Sequence, residues 1–209
     1  MRFTKVLPGE TAQNTMASSA RHTSLMEKPP VNTRDASVLV LLTPANEKEN
    51  LLEWEVLLIR RNEYPGVHSG QISFPGGRYE KEDTDLWNTA CREAYEEVGI
   101  QENHLEKVGQ LTELYVPSSN FLIHPFVSIC TAVDEIRTNP REVVNYKRVP
   151  LKVFDPDKAT LKDFVYPDGK KWLAPTWPYE DYVIWGATAM ILAELYTSIR
   201  DGILILEKG

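Results

Sequence analysis

The spacing of apolar residues changes period several times along the chain. Residues 36–42 (ASVLVLL) form a short apolar run between polar turns and predict a buried strand. Residues 53–61 (EWEVLLIRR) predict a second strand, and the two are compatible with a hairpin. A brief strand at ISF, residues 72–74, ends in Pro75-Gly76-Gly77. Residues 86–99 carry a different pattern. Leu86, Trp87, Ala90, Cys91, Ala94 and Val98 share one stripe of a 3.6-residue wheel, which predicts an amphipathic helix. Asp85 or Thr84 is placed to cap its start and Gly99 to end it. Strand patterns recur at residues 107–114, 121–130, 142–151, 171–177 and 182–185. A second long amphipathic helix is expected over residues 186–200 and a last strand or extended tail over 202–207. Residues 1–34 are polar and broken, an N-terminal polar arm with room for one short helix before a main domain at 35–209. Strands on both sides of one helix, with a second helix late in the chain, predict a single α/β (α+β) domain built as a mixed sandwich.

Composition narrows the classes of function. The chain has 209 residues, 42% of them hydrophobic, enough for one sizeable core. A formal net charge of −7 argues against a general nucleic-acid binder, which needs a basic face for the phosphates. A phosphorylated small molecule stays open, since its charge is met locally or by a metal. Cys91 and Cys130 fit free thiols in a reducing compartment. No window approaches 18 consecutive apolar residues and the N-terminus shows no signal-peptide run, so a soluble cytoplasmic protein without membrane contact is expected.

The predicted first helix carries the candidate chemistry. In REAYEEVGI, Glu93, Glu96 and Glu97 lie at i, i+3 and i+4 and therefore share a helix face. Glu93 and Glu97 border the apolar stripe, at the rim of the core, where their repulsion is less screened. Arg92 stands one turn before Glu96 and is placed to hold it. A plain solvated face would also read this way. Against that, the Gly76–Gly77 loop precedes the helix and lets backbone approach a cation closely. Carboxylates, a carbonyl and water are the ligands that hard divalent cations take, Mg²⁺ often with substrate phosphates. The pattern thus predicts a divalent metal cluster completed by a diphosphate.

The segment GGRYEKEDTDLWNTACREAYEEVGI resembles the signature of the Nudix hydrolases, G-x5-E-x7-R-E-U-x-E-E-x-G-U, where U is apolar. Arg92, Glu93, Ala94, Glu96, Glu97, Gly99 and Ile100 match its second half. The first half departs: Gly77 and five intervening residues lead to Asp83 rather than Glu, and eight residues rather than seven separate it from Arg92. That departure leaves Asp83 without an assigned role. Upstream, LLIRRNEYPGVHSGQISFPGG resembles the additional motif of the coenzyme A diphosphatase branch, L-L-T-x-R-[SA]-x3-R-x3-G-x3-F-P-G-G. Leu57, Leu58, Arg61, Gly70, Phe74, Pro75, Gly76 and Gly77 match; Ile59, Asn62 and Gly66 do not, and Gly66 stands where the branch has its second Arg.

The resemblance implies a Nudix-type α/β/α sandwich with a mixed central sheet and a catalytic loop-helix-loop. It implies hydrolysis of a nucleoside-linked diphosphate, with coenzyme A or a derivative giving adenosine 3′,5′-bisphosphate and 4′-phosphopantetheine, and with Mg²⁺ or Mn²⁺ as cofactor. Glu93, Glu96, Glu97 and the Gly77 carbonyl are then the metal ligands, Glu93 the candidate base and Arg92 an orienting group. Arg61, His68, Gly76 and Glu142 are the candidate substrate-binding residues. A homodimer is compatible with this reading. Two rivals accompany it: a Nudix hydrolase of ADP-ribose or another nucleoside diphosphate derivative, for which Gly66 is the best argument, and a non-catalytic nucleotide sensor, which the three retained glutamates disfavour. Trp172, Trp177 and Trp185 are weighed as base-stacking groups against core packing, His124 is read as a satisfied buried imidazole, and Cys91 as packing.

Overall fold

In the computed structural model of the chain, residues 1–19, 29–44, 50–62, 70–130, 136–165, 169 and 171–206 are described. His68 and Gly66 lie outside the described residues. The strands are β1 (Arg2–Phe3), β2 (Arg34–Thr43), β3 (Glu55–Arg61), β4 (Ile72–Ser73), β5 (Gly76–Arg78), β6 (Leu105–Gln110) and β7 (Leu114–Val116). They continue as β8 (Phe121–Cys130), β9 (Val143–Pro150), β10 (Thr160–Val165), β11 (Lys171–Tyr179), β12 (Tyr182–Ile184) and β13 (Leu204–Ile205). The α-helices are α1 (Gly9–Gln13), α2 (Leu86–Val98) and α3 (Gly186–Arg200).

The apolar run of β2 has no polar face because both its faces are covered. Leu39 and Leu41 point with Leu57, Ile59 and Phe126 toward Ala90, Ala94 and Val98 of α2. Val40 and Leu42 point with Val56, Leu58 and Val127 toward Ala189, Leu192 and Ala193 of α3. This is the helix–sheet–helix sandwich that the alternation of short strands and amphipathic helices predicts. The central sheet is mixed. β2 runs parallel to β8 from Arg34↔Phe121 to Leu42↔Ile129, while β5 pairs antiparallel with β2, and β6 and β7 pair antiparallel with β8.

The expected hairpin of β2 and β3 is present only at its root. The strands pair at Leu42↔Val56 and Thr43↔Glu55 and then separate. Above that point the edge of β2 is taken by β5, and β3 pairs with β9 and β4 instead. The separation makes room for residues 76–78 to enter the sheet beside β2. β10 was not expected, because TLKDFV alternates too weakly to separate from loop; it is an edge strand held by its pairing to β11 and by Phe164 stacked on Trp172 at 4.6 Å.

Helix α2 begins and ends where its sequence dictates. The Asp85 side chain accepts the Asn88 N–H at 2.7 Å, and Gly99 takes a left-handed φ of 75° that releases the chain from the helix. Among the described residues no helix is long and apolar enough to cross a membrane.

The N-terminal arm packs on the domain. β1 pairs with β13, Met16 is fully buried in the α3-side core, and Gln13 Nε2 donates to Glu194 Oε2 at 2.8 Å. Glu194, a fully buried carboxylate of α3, also accepts the Thr112 N–H at 3.2 Å and the Thr112 hydroxyl at 2.6 Å. One buried charge therefore joins α1, α3 and the β6–β7 connection. Replacing Glu194 with Ala strands these donors inside the core, and a cost of about 3 kcal/mol is expected. The thermal midpoint should fall by roughly 6–12 °C; an unchanged midpoint would show that this junction contributes nothing.

Candidate active site

Two glycines create the site by what they lack. A Cβ on Gly76 would lie 2.4 Å from the Ser37 carbonyl oxygen and 2.7 Å from the Val38 Cα, so only glycine lets β5 lie this close to β2. A Cβ on Gly77 would lie 2.4–2.5 Å from the Glu93 carboxylate. The Glu93 carboxylate therefore occupies the volume that any other residue 77 would fill.

The three glutamates of α2 meet three different environments. Glu97 is fully buried; its Oε1 accepts from Arg61 Nη1 at 2.9 Å and its Oε2 from the Gly76 N–H at 2.9 Å. Burial pushes its carboxyl up to about 7, against the opposing effects of Arg61 and the Gly76 N–H, with Glu93 and Glu142 adding to the rise. Glu93 is mostly buried and accepts from Arg92 Nη1 at 2.9 Å; burial also raises its pKa. Glu96 is exposed and 3.5 Å from Arg92 Nη1. Arg61 comes from the end of β3, 36 residues before Glu97, and its Nη1 also points at the Gly76 carbonyl at 3.4 Å.

Arg92 is anchored by a residue whose role the sequence left unassigned. Its Nε donates to Asp83 Oδ1 at 2.8 Å and its Nη2 to Asp83 Oδ2 at 3.1 Å, a two-pronged guanidinium–carboxylate pair. Asp83 is itself buried and accepts from the Glu80 N–H and the Thr89 hydroxyl, both at 2.9 Å. The Arg92 bond holds the Asp83 carboxyl down at about 2, and the same pairing raises Arg92. Arg92 Nη2 also donates to the Arg78 carbonyl at 3.0 Å, which ties α2 to the end of β5. The longer loop and shorter acid offset one another: eight intervening residues let Asp83 turn back under the helix and reach Arg92. The signal that could have found it is the carboxylate kept six residues after Gly77.

The remaining candidates are distributed as follows. Glu142 lies beside the site: its backbone carbonyl accepts from the Asn62 N–H at 2.9 Å, its side chain accepts from Asn139 Nδ2 at 3.2 Å, and its charge acts on Glu97. Trp177 is core, donating its indole N–H to the Asp155 carbonyl, while Trp172 stacks on Phe164 of the small sheet of β10–β12 and Trp185 tilts against the same ring. His124 is buried, with Nε2 2.9 Å from Asp35 and Nδ1 3.2 Å from Glu113. Cys91 is buried, and burial pushes its thiol up to about 12, which fits packing and not nucleophilic use.

Among the described residues no three His, Cys, Asp or Glu side chains converge as a metal-holding group in this arrangement; Arg61 and Arg92 bond the carboxylates. The donor set nevertheless suits a hard divalent cation. It consists of carboxylate oxygens on one helix face, two of them shielded from water, against a glycine pair that admits close backbone approach.

The whole frame has relatives. The NUDIX domain family matches residues 33–174. A protein of Photorhabdus laumondii named "Uncharacterized Nudix hydrolase NudL" is 32% identical over 173 residues, covering 81% of this chain and 87% of its own. "Nudix hydrolase 15, mitochondrial" of Arabidopsis thaliana is 31% identical over 163 residues, covering 75% of this chain and 55% of its own. Among solved structures, the Nudix hydrolase RenU of M. smegmatis superposes with a TM-score of 0.54 at 14% identity, over 84% of this chain and 91% of its own, which supports the fold alone. With the family matching well over half of the chain, and with the glycine pair, the buried glutamates and their arginines assembled on one helix face, this chain belongs to the Nudix hydrolases.

Proposed function

We propose that the chain hydrolyses the diphosphate of coenzyme A or a derivative, releasing adenosine 3′,5′-bisphosphate and 4′-phosphopantetheine. The observation that carries this reading is Arg61. It belongs to the upstream segment that resembles the coenzyme A branch, and it bonds Glu97 and points at the Gly76 carbonyl, so that segment and the glutamate helix act as one unit. A second reading, ADP-ribose or another nucleoside diphosphate derivative, is favoured by Gly66, where the branch has an Arg.

Nudix hydrolases generally use divalent metal ions. Glu93, Glu96, Glu97 and the Gly77 carbonyl would hold such an ion, Mg²⁺ or Mn²⁺, which when bound supplies charge neutralisation to the diphosphate oxygens. The chain's own residues do the rest. Arg92 fixes the Glu93 carboxylate by one oxygen and is itself fixed by Asp83, so the acid does not have to be ordered during turnover. Glu93 is the candidate base, and in the metal-free site burial raises its proton affinity. Arg61 keeps Glu97 in place and, one quarter exposed, presents guanidinium surface toward an incoming phosphate; Gly76, His68 and Glu142 complete the candidate substrate contacts.

Incubation of the protein with Mn²⁺ and either coenzyme A or ADP-ribose, read by mass spectrometry of the products, separates the two readings. Coenzyme A should yield adenosine 3′,5′-bisphosphate and 4′-phosphopantetheine, and Glu97→Gln should reduce that yield by orders of magnitude. Inert coenzyme A with turnover of ADP-ribose would favour the second reading.

The Asp83–Arg92 pair has its own signature. Asp83 is held below its ordinary 3.8, at about 2, so its stabilising contribution is full above pH 4 and is lost as pH falls from 3.8 through 2. It amounts to about 2 kcal/mol. Asp83→Asn should therefore be less stable than the parent by about this much at pH 7, and the two should converge near pH 2. A gap in denaturation midpoints that does not narrow on acidification would contradict the pairing.

A further inference from the structure

On the α2 side of β2 the sequence alternates Ser37, Leu39, Leu41. The two leucines are core, and Ser37 is the polar member of the row, fully buried. Its hydroxyl has no hydrogen-bond partner among the described residues. A buried hydroxyl without a partner is unfavourable, and alanine would fit the same backbone without that penalty. Such a residue is out of step with the packing around it, and local rules of this kind are broken at functional sites.

Its place suggests what that is. Ser37 pairs with Gly77 of β5 on one side and with His124 of β8 on the other. Directly opposed residues of an antiparallel pair present their Cβ direction to the same face. At Gly77 that direction runs into the Glu93 carboxylate, 2.4–2.5 Å from where a Cβ would be. Ser37 thus stands under α2 in the lattice position next to the Glu93 carboxylate. His124 on its other side is already engaged by Asp35 at 2.9 Å and Glu113 at 3.2 Å. Arg92 bonds Glu93 through Oε1, which leaves Oε2 as the oxygen that needs a second constraint.

We propose that Ser37 is a positioning residue whose hydroxyl, through one bridging water, holds Oε2 of Glu93 in the orientation that meets a divalent cation. Arg92 and Ser37 then constrain the two oxygens of one carboxylate from opposite sides, the first from the helix and the second from the sheet. The proposal rests on the reading of Glu93 as a metal ligand.

Three measurements on Ser37→Ala test it, with Ser37→Thr, which keeps a hydroxyl, as the conservative variant. Mn²⁺ binding is followed by the electron paramagnetic resonance of free Mn²⁺, without substrate. Affinity for Mn²⁺ should drop about tenfold in Ser37→Ala, the scale of one hydrogen bond, and should recover at least in part in Ser37→Thr. Turnover number should fall by a similar factor with KM little changed. The thermal midpoint of metal-free Ser37→Ala should change little, since the water-bridged bond that is lost offsets the desolvation of the hydroxyl that is removed. A structural role would move these readouts the other way: a lower midpoint with Mn²⁺ affinity and turnover at parental values overturns the proposal. Failure of the unmodified protein to bind Mn²⁺ would instead overturn the reading of the glutamate helix.

Discussion

The site rests on a charge balance struck inside a poorly screened rim of the core. Three carboxylates on one helix face, two of them largely or wholly shielded from water, would repel one another and disfavour the helix that carries them. Arg61 and Arg92 offset that repulsion from two directions. Arg92 shares the helix with the glutamates and is locked by Asp83; Arg61 reaches in from the end of β3. Neither arginine neutralises all of the charge, and burial still raises the proton affinity of Glu93 and Glu97. On the proposed function, a divalent cation would favour the ionised forms that burial disfavours.

The rest of the fold serves this balance. β2 and β3 part after two residue pairs, so the glycine pair of β5 enters beside β2 and the Gly76 N–H reaches Glu97. Gly77 gives up its side-chain volume to Glu93. On the far side, α3 covers the sheet and the buried Glu194 gathers the N-terminal arm onto it, which keeps β2 and β3 buried on both faces. A strand buried on both sides has little freedom to shift register, so the positions of Ser37, Gly76 and Arg61 relative to α2 follow from core packing far from the chemistry.

Much of this was legible from residue spacing, because the site is local where it matters most. Glu93, Glu96 and Glu97 lie within one helical turn, Asp85 and Gly99 bound the helix, and a period of 3.6 turned toward an apolar core forces two of the acids to the rim. The sandwich follows from the same periodicities. What spacing could not reveal are the contacts that join distant segments. Nothing about Arg61 announces a bond to an acid 36 residues later, and nothing in the arm's polar composition announces a partner in α3. Asp83 was obscured for another reason: judged against a fixed motif it looks misplaced, whereas the extra loop residue and the shorter side chain together restore its reach to Arg92. The β2–β3 pairing that their adjacency allows is confined to the root of the hairpin, because β5 takes the edge of β2 beyond it.

On the proposed function, the glutamates of α2 are held ready for a cation by arginines that leave their charge incompletely met. Anomalous diffraction from crystals soaked in Mn²⁺ tests it most directly. An anomalous peak is expected beside Glu93, Glu96 and Glu97 and next to the Gly76–Gly77 backbone, with Arg92 still bound to Asp83. Crystals without a peak there, in which the glutamates keep only their arginine partners at saturating Mn²⁺, would contradict it.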